Sequence, residues 1–121
     1  MDATEIITTY GAAWTETDEQ ARRALLEKAW ADDGTYSDPT GNADGRDALV
    51  AHIGGFQAMM PGHTIENASG IDTRDNVFRF AWVMRKGSEV LLEGMDYGEF
   101  APDGRISKIV GFFGPFPPVD A

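Results

Sequence analysis

A single carboxyl group interrupts an apolar row in the most regular strand that the sequence predicts, residues 90–100. Because side chains alternate between the two faces of a strand, one face carries Val90, Leu92, Gly94, Asp96, Gly98 and Phe100. An acid on a core-facing row must be hydrogen-bonded, protonated or in contact with a cavity that a ligand enters. Since glycine stands on both sides of Asp96 in this row, we expect open space beside its carboxyl group.

Two further polar groups are predicted to face the same interior. Asp38 precedes Pro39 where a short strand runs into a loop rich in Gly, Asn and Asp, and Tyr10 lies on the apolar stripe of the first predicted helix. Of two carboxyl groups in an apolar pocket, the one nearer to solvent stays ionised as a base, whereas the drier one stays protonated and donates a hydrogen bond. This pattern is typical of general acid–base chemistry.

Each of these groups also has a purely structural interpretation. Asp38 can bond to backbone amides in an Asx turn. Asp96 can bond to a helix terminus or another side chain, with its flanking glycines marking a bulge. Tyr10 can be a core residue whose hydroxyl group finds a partner. The two histidines, His52 and His63, are better explained as structural, although His52 could reach a pocket.

Three helices are predicted from apolar spacing and capping residues. Residues 3–16 follow a capping box at Asp2, and a second capping box at Thr17 opens a helix that Gly34 is well placed to end. These two helices are expected to form a hairpin. Residues 46–60 return to helical spacing before a Pro-Gly pair.

The second half of the chain changes to the period of β-strands. Strands are predicted at 64–71, 77–85, 90–100 and 105–113, and the short turns between the last three favour antiparallel neighbours. Helices followed by a meander of strands indicate an α+β fold. We therefore expect a cone-shaped, curved antiparallel β-sheet that packs on the N-terminal helices and encloses an apolar pocket.

Composition narrows the class of protein. A chain of 121 residues predicts a single domain over residues 1–121, and the net charge of −10 disfavours nucleic acid and anionic membrane surfaces as partners. No apolar run is long enough to span a bilayer and no signal peptide is evident, so we expect a cytoplasmic protein. The absence of Cys and the presence of only two, distant His residues give no support for a metal site.

Two segments of the chain resemble a known family. Residues 32–41 (Asp-Asp-Gly-Thr-Tyr-Ser-Asp-Pro-Thr-Gly) and 95–114 are similar to the nuclear transport factor 2-like, or SnoaL-like, superfamily, and within it most similar to ketosteroid isomerase. The resemblance implies that Asp38 is the base that moves a proton, that Asp96 is a protonated donor to the oxyanion, and that Tyr10 is a second donor. No cofactor is expected. The second helix is about one turn longer than in the isomerase, so Trp14 competes with Tyr10 for the inward position.

These considerations predict an enzyme that shifts a proton on a small apolar carbonyl compound, such as a steroid-, polyketide- or terpenoid-like ketone. We expect its substrate to be bound by Trp14, Phe56, Phe78, Phe80, Trp82, Ile109 and Phe113. Two other functions stay open. The first is a non-catalytic module for ligand binding or association, and the second is a SnoaL-like cyclase, dehydratase or hydrolase, since some cone dehydratases use an Asp–His pair. The resemblance also suggests a homodimer paired through its sheets.

Overall fold

The computed structural model describes residues 1–120 and contains three helices and one sheet of seven strands. The helices are α1 (Ala3–Ala13), α2 (Glu19–Ala29) and α3 (Arg46–Met59). The strands are β1 (Trp30–Asp38), β2 (Gly41–Asp44), β3 (His63–Asn67), β4 (Asp72–Arg74), β5 (Val77–Lys86), β6 (Glu89–Phe100) and β7 (Ile106–Phe113). The α+β prediction is confirmed.

The sheet is mixed rather than wholly antiparallel. Its order is β2-β1-β7-β6-β5-β3, with β4 also paired to β5. Every pair is antiparallel except β1 and β7, which run parallel, so the predicted antiparallel sheet is corrected at that pair. Short turns fix the relative directions of β5, β6 and β7, whereas β1 and β7 are far apart in the sequence, so no turn requires these two strands to be antiparallel. Register shifts in β1–β7, β5–β6 and β6–β7 accompany the bending of the sheet into an open, curved surface.

The two N-terminal helices begin at acidic caps. Asp2 accepts a hydrogen bond from the backbone N–H of Glu5, and the Glu5 carboxylate faces the backbone N–H of Asp2, which confirms the predicted capping box. The second helix starts one residue later than predicted, since Asp18 rather than Thr17 caps it by accepting from Ala21 N–H. An aspartate satisfies the free amides and also favours the positive end of the helix dipole.

The end of α2 also differs from the prediction. The helix stops at Ala29 and Trp30 opens β1, so Gly34 lies inside a strand and does not terminate a helix. The reason for a glycine here is packing: a Cβ at position 34 would lie 2.5 Å from Nε1 of the Trp30 indole. The fully buried indole, stacked on the Tyr10 ring, fills the space where a side chain at position 34 would have been.

A buried arginine ties α2 to α3. The Arg22 guanidinium donates to the Val50 carbonyl oxygen at 3.1 Å, to Gln57 Oε1 at 2.7 Å and to two carbonyl oxygens of the α1–α2 loop. Gly54 faces this group, because a Cβ there would come within 3.0 Å of Arg22 Nη1. The helices are thereby held over the concave face of the sheet, and the hydrophobic core lies between the two layers.

Candidate active site

A cavity of about 540 Å³ lies between α1, α3 and the concave face of the sheet. All three candidate catalytic residues, Asp38, Asp96 and Tyr10, contribute to its lining. Five of the seven residues predicted to bind the substrate also line it: Trp14, Phe56, Phe80, Trp82 and Phe113. The other two, Phe78 and Ile109, are buried in the core and do not line the cavity. Both are paired with Gly98, which lies two residues beyond Asp96 on β6.

Asp38 lies at the end of β1, where the turn into β2 supplies donors to its carboxylate. Its Oδ1 accepts from the Thr40 backbone N–H at 2.7 Å and from Thr40 Oγ1 at 2.6 Å, and its Oδ2 accepts from the Tyr36 hydroxyl group at 2.6 Å. Partial burial by itself would raise the pKa of Asp38, but these hydrogen bonds outweigh it and hold the pKa below its usual range. The Asx-turn interpretation is thus right, and the same carboxylate also faces the cavity.

Asp96 lies in the middle of β6 with a much drier environment. The residue is 7% exposed, and its Oδ1 accepts one hydrogen bond, from Nε1 of Trp82 at 3.0 Å. Burial raises the pKa of Asp96 to about 7, partly opposed by the Trp82 bond and reinforced by the negative charge of Asp38. At neutral pH this acid is therefore poised between its protonated and ionised forms.

Gly111 of β7 stands between the two acids. It pairs with Asp96 across the β6–β7 ladder, and a Cβ at this position would lie 3.1 Å from Asp96 Oδ1 and 3.3 Å from Asp38 Cβ. The missing side chain lets both carboxyl groups share one end of the cavity. Their closeness explains why the charge of Asp38 contributes to the raised pKa of Asp96.

The glycines beside Asp96 do not provide the open space that we expected. A Cβ at Gly94 would lie 2.2 Å from the Trp82 ring, and a Cβ at Gly98 would lie 2.1 Å from the Phe78 ring. Both rings come from β5 and cross the glycine directly opposite in the ladder. The space beside the glycines is therefore filled by the Trp82 and Phe78 rings, and the Trp82 indole N–H donates a hydrogen bond to Asp96.

Tyr10 and Trp14 both face the cavity, so neither excludes the other. The Tyr10 ring stacks on Trp30 with 5.6 Å between ring centroids, and its hydroxyl oxygen is buried with no hydrogen-bond partner in residues 1–120. Burial, with the nearby charge of Asp96, raises the pKa of Tyr10 well above its ordinary value. The hydroxyl group stays protonated and is available to donate to a ligand.

Two further residues at the site were not among the predicted site residues, although His52 was noted as able to reach a pocket. Tyr36 donates to Asp38, and burial raises its pKa far above the ordinary value, so it remains a donor. His52 on α3 places Nε2 at 3.6 Å from Asp38 Oδ2 and stands edge-on to Trp14. Alternation along β1 could have found Tyr36, since residues 36 and 38 share a face. The meeting of His52 with Asp38 depends on how α3 crosses the sheet, which no local pattern specifies.

The exposure of the lining side chains changes from the floor of the cavity to its rim. The floor is formed by Tyr10, Tyr36, Asp96 and the side chain of Asp38, each at most 7% exposed, together with the equally buried rings of Trp14, Phe80 and Trp82. Met59 and Phe113 at the rim are exposed to solvent. Among the described residues, no Lys or Arg lines the cavity. Within residues 1–120 there is no cluster of three or more His, Asp or Glu side chains able to hold a metal ion. The described helices also include none with the length and hydropathy needed to cross a membrane.

Such an arrangement can do acid–base chemistry without a charged cofactor. Asp38 is an ionised carboxylate that can accept a proton, while protonated Asp96 and Tyr10 can donate hydrogen bonds to an oxygen that gains negative charge. The apolar rings around them exclude water and strengthen each of these interactions.

Similar structures come from bacteria. A candidate isomerase of the SnoaL-like family from Agrobacterium tumefaciens is 32% identical with a TM-score of 0.86, and the match covers 92% of this chain and 96% of that one. A nuclear transport factor 2-like protein of unknown function from Exiguobacterium is 16% identical (TM-score 0.73; 92% and 99% covered). A candidate polyketide cyclase from Sinorhizobium meliloti is 15% identical (TM-score 0.69; 88% and 93% covered). The last two likenesses concern the fold alone.

The comparison with curated proteins gives no significant match. The model of the SnoaL-like domain, in contrast, matches residues 7–109, which include Tyr10, Asp38 and Asp96. The predicted superfamily is confirmed by this match together with the shared fold. The chain belongs to the SnoaL-like family.

Proposed function

We propose that this protein is a cofactor-independent isomerase of the ketosteroid isomerase type, which shifts a proton on a small, uncharged, apolar carbonyl compound. One observation carries the proposal: two carboxyl groups whose pKa values are shifted in opposite directions lie beside Gly111 on the floor of one apolar cavity. The A. tumefaciens protein, at 32% identity, supports isomerase chemistry as the reaction class.

In the proposed reaction the carbonyl oxygen of the substrate enters first and reaches the floor of the cavity. Asp38 removes a proton from the carbon next to the carbonyl group, and the electrons of that C–H bond move into an enolate. Asp96 and Tyr10 donate hydrogen bonds to the enolate oxygen, where the negative charge develops. Asp38 then returns the same proton to a different carbon of the conjugated system, so no oxidant, reductant or co-reactant is consumed.

The preference for an uncharged substrate follows from the lining. With no Lys or Arg at the cavity and an ionised carboxylate on its floor, a carboxylate or phosphate on the substrate would find no counter-ion. The apolar residues toward the rim, among them Phe56, Met60 and Ile65, suit a hydrocarbon skeleton. A polycyclic or terpenoid-like ketone, with one polar carbonyl end and an apolar skeleton, fits a cavity that has polar groups on its floor and apolar residues toward its rim.

The proposal is tested by isotope exchange, which needs no knowledge of the natural substrate. The protein is incubated with 2-tetralone, an uncharged bicyclic ketone, in D₂O, and deuterium entry beside the carbonyl group is followed by proton NMR. We expect Asp38→Asn to slow enzyme-catalysed exchange by about 10²- to 10⁴-fold, the usual cost of losing a general base. Asp33→Asn, an exposed aspartate on the same strand, serves as the matched control and is expected to exchange like the wild type.

Two results would reject the isomerase proposal. Exchange by Asp38→Asn at close to the wild-type rate would remove Asp38 as the base. Binding of 2-tetralone by the wild type with no exchange at all would identify the chain as a ligand-binding module of the same fold.

A second candidate function, dehydration of a β-hydroxyketone, is favoured by the 3.6 Å separation between His52 Nε2 and Asp38 Oδ2. In that reaction His52, oriented by Asp38, takes the proton next to the carbonyl group, and the electrons of that C–H bond form the new C=C bond. The imidazolium then donates this proton to the leaving hydroxyl group, which departs as water. His52→Gln separates the two functions. It is expected to reduce the exchange of 2-tetralone less than tenfold if Asp38 is the base, but to abolish the elimination of water from a bicyclic β-hydroxyketone if His52 is the acid.

For quaternary structure we propose a homodimer formed through the outer face of the sheet. Met95 and Phe112 are neighbours on this face, and Phe112 is 53% exposed, as is expected for an apolar surface that another subunit covers. Phe112→Glu is expected to shift the sedimentation coefficient from dimer to monomer. A wild-type protein that sediments as a monomer at high concentration would remove this proposal.

A further inference from the structure

The hydrogen bond from Trp82 to Asp96 affects which oxygen of the carboxyl group carries the proton. The indole lies across Gly94, its directly opposed neighbour in the β5–β6 ladder, and the Phe113 ring packs against it in a T-shaped arrangement with 5.7 Å between centroids. Because the ring is held on both sides, its N–H has one direction, toward Asp96 Oδ1 at 3.0 Å.

An indole nitrogen can donate a hydrogen bond but cannot accept one. In a protonated carboxyl group the carbonyl oxygen is the better acceptor, whereas the hydroxyl oxygen carries the proton. The Trp82 N–H therefore selects Oδ1 as the carbonyl oxygen and leaves the proton on Oδ2.

The second oxygen of Asp96 faces a different environment. In the part of the chain that the structure describes, Oδ2 receives no hydrogen bond and is not among the fully buried side-chain atoms, and Asp96 lines the cavity. A proton on Oδ2 consequently has no protein acceptor, so the acceptor that fits it is an oxygen atom of a molecule inside the cavity.

We propose that Trp82 is a positioning residue that fixes the carboxyl proton of Asp96 on Oδ2 and so directs it to the ligand oxygen in the cavity. This deepens the proposed isomerase function and rests on it for its catalytic meaning. The placement of the proton is nevertheless a property of the ligand-free protein. Trp82 acts through Asp96, and its ring serves the apolar wall at the same time.

The test measures proton placement without turnover. In the ligand-free protein the pKa of Asp96 is followed by carbon NMR of labelled aspartate, and the affinity for 2-naphthol, an uncharged phenol, is measured at pH 5.5. The main variant is Trp82→Phe. A second form, in which 3-benzothienylalanine replaces Trp82, keeps the shape of the ring and loses only the N–H group. Trp14→Phe is the control, because Trp14 lines the same cavity without bonding to either carboxyl group.

Loss of the indole donor is expected to raise the pKa of Asp96 by about one unit, since the bond stabilises the ionised form. At pH 5.5 Asp96 is almost fully protonated in every variant, so a change in naphthol affinity reports the direction of the proton and not its presence. We expect affinity to fall about three- to tenfold in both substituted forms. Trp14→Phe should leave the pKa of Asp96 where it is in the wild type.

Two outcomes overturn the inference. If the pKa of Asp96 is unchanged when the N–H is removed, Trp82 does not hold Oδ1. If the pKa rises but naphthol binds within twofold of wild type to the benzothienyl form, the bond exists and does not direct the proton. Because Trp82→Phe can lose affinity through packing, the benzothienyl form decides. A failed isomerase function would instead appear as absent exchange of 2-tetralone with both measurements intact.

Discussion

Asp38 and Asp96 are the same side chain in two environments that push the pKa in opposite directions. Asp38 stands at a strand end, where Thr40 and Tyr36 donate three hydrogen bonds to its two oxygens. Asp96 stands mid-strand under a layer of aromatic rings, with one indole donor and little solvent. The first carboxylate is stabilised as an anion, whereas the second gains more from remaining neutral.

The difference shows that the number of donors, and not depth alone, decides which acid is ionised. Burial acts on both groups and would raise both pKa values, yet only at Asp38 do the hydrogen bonds outweigh it. A turn makes this easy, because the backbone N–H and hydroxyl group of Thr40 both reach back to residue 38. The middle of a strand cannot do the same, since its backbone amides are occupied by the ladder.

The largest expected effect is on the dependence of stability on pH. The pKa of Asp96 is raised in the folded protein, from 3.8 to about 7, so between these values the native state binds more protons than the unfolded state. Stability from this group is full below pH 4 and is lost as the pH rises through 7. Because one pKa unit corresponds to about 1.36 kcal/mol, the loss is of the order of 4 kcal/mol.

Asp96→Asn is expected to remove most of this slope when the free energy of unfolding is measured by urea denaturation at several pH values from 4 to 8. Asp38 has the opposite sign, because its pKa is lowered on folding and its contribution is lost only as the pH falls below 4. A wild-type protein whose stability rises from pH 5 to 8 would contradict the assignment of Asp96 as the neutral acid.

The next effect concerns what Asp96 does during exchange of 2-tetralone. If protonated Asp96 donates a hydrogen bond to the enolate oxygen, Asp96→Leu should reduce kcat by about 10²- to 10³-fold, as is usual for loss of an oxyanion donor. Asp96→Asn keeps an N–H donor and should be milder. The reverse order would mean that Asp96 works as an ionised acid, and the contrast with Asp38 would then be wrong.

The sequence was informative about these two acids because each depends on a local pattern. Strand alternation places Asp96 on the inner face, and an Asp-Pro pair before a turn places Asp38 at a strand end. The starts of the helices and the bounds of the last three strands were likewise predicted close to those observed, since capping residues, strand alternation and turn residues are local signals.

The rest depends on contacts between distant parts of the chain. The parallel pairing of β1 with β7 brings Gly111 between the two acids, and nothing near residue 111 in the sequence distinguishes this from an antiparallel edge. The helix predicted to end at Gly34 would include Trp30, but this residue opens a strand, and its indole occupies the space left by the missing side chain of Gly34. Glycines at 94 and 98 suggested a void, although their ladder partners turned out to be aromatic.

Those ladder partners allow a test of the structure around Asp96. Since a Cβ at position 94 would lie 2.2 Å from Trp82 and 2.5 Å from the Phe112 carbonyl oxygen, Gly94→Ala must displace an indole or the backbone. We expect a loss of about 1–3 kcal/mol in the free energy of unfolding, the usual cost of overpacking. Gly55→Ala is the control, because a Cβ there meets no atom within 4 Å and alanine favours the helix by up to about 1 kcal/mol. Equal free energies of unfolding for the two variants would contradict the close packing of the Trp82 ring against Gly94.

The smallest effect is expected from removing the hydrogen bond that the Tyr36 hydroxyl group donates to Asp38. Tyr36→Phe removes one of its three hydrogen bonds while keeping the ring beside Trp14 and His52. The ionised form of Asp38 loses stabilisation, so its pKa should rise, by about one unit or less. The measurement is the acid limb of the pH–rate profile for deuterium exchange, which should move to higher pH by the same amount.

Above that limb Asp38 is ionised in both proteins, and a base with a higher pKa accepts a proton more readily. The exchange rate of Tyr36→Phe at neutral pH should therefore equal or exceed that of the wild type, even though a hydrogen bond at the site has been lost. Thr40→Val removes the other hydroxyl donor and should move the acid limb in the same direction, because both act on one carboxylate. If the limb moves to lower pH in either variant, a group other than Asp38 titrates there, and the assignment of Asp38 as the base is wrong.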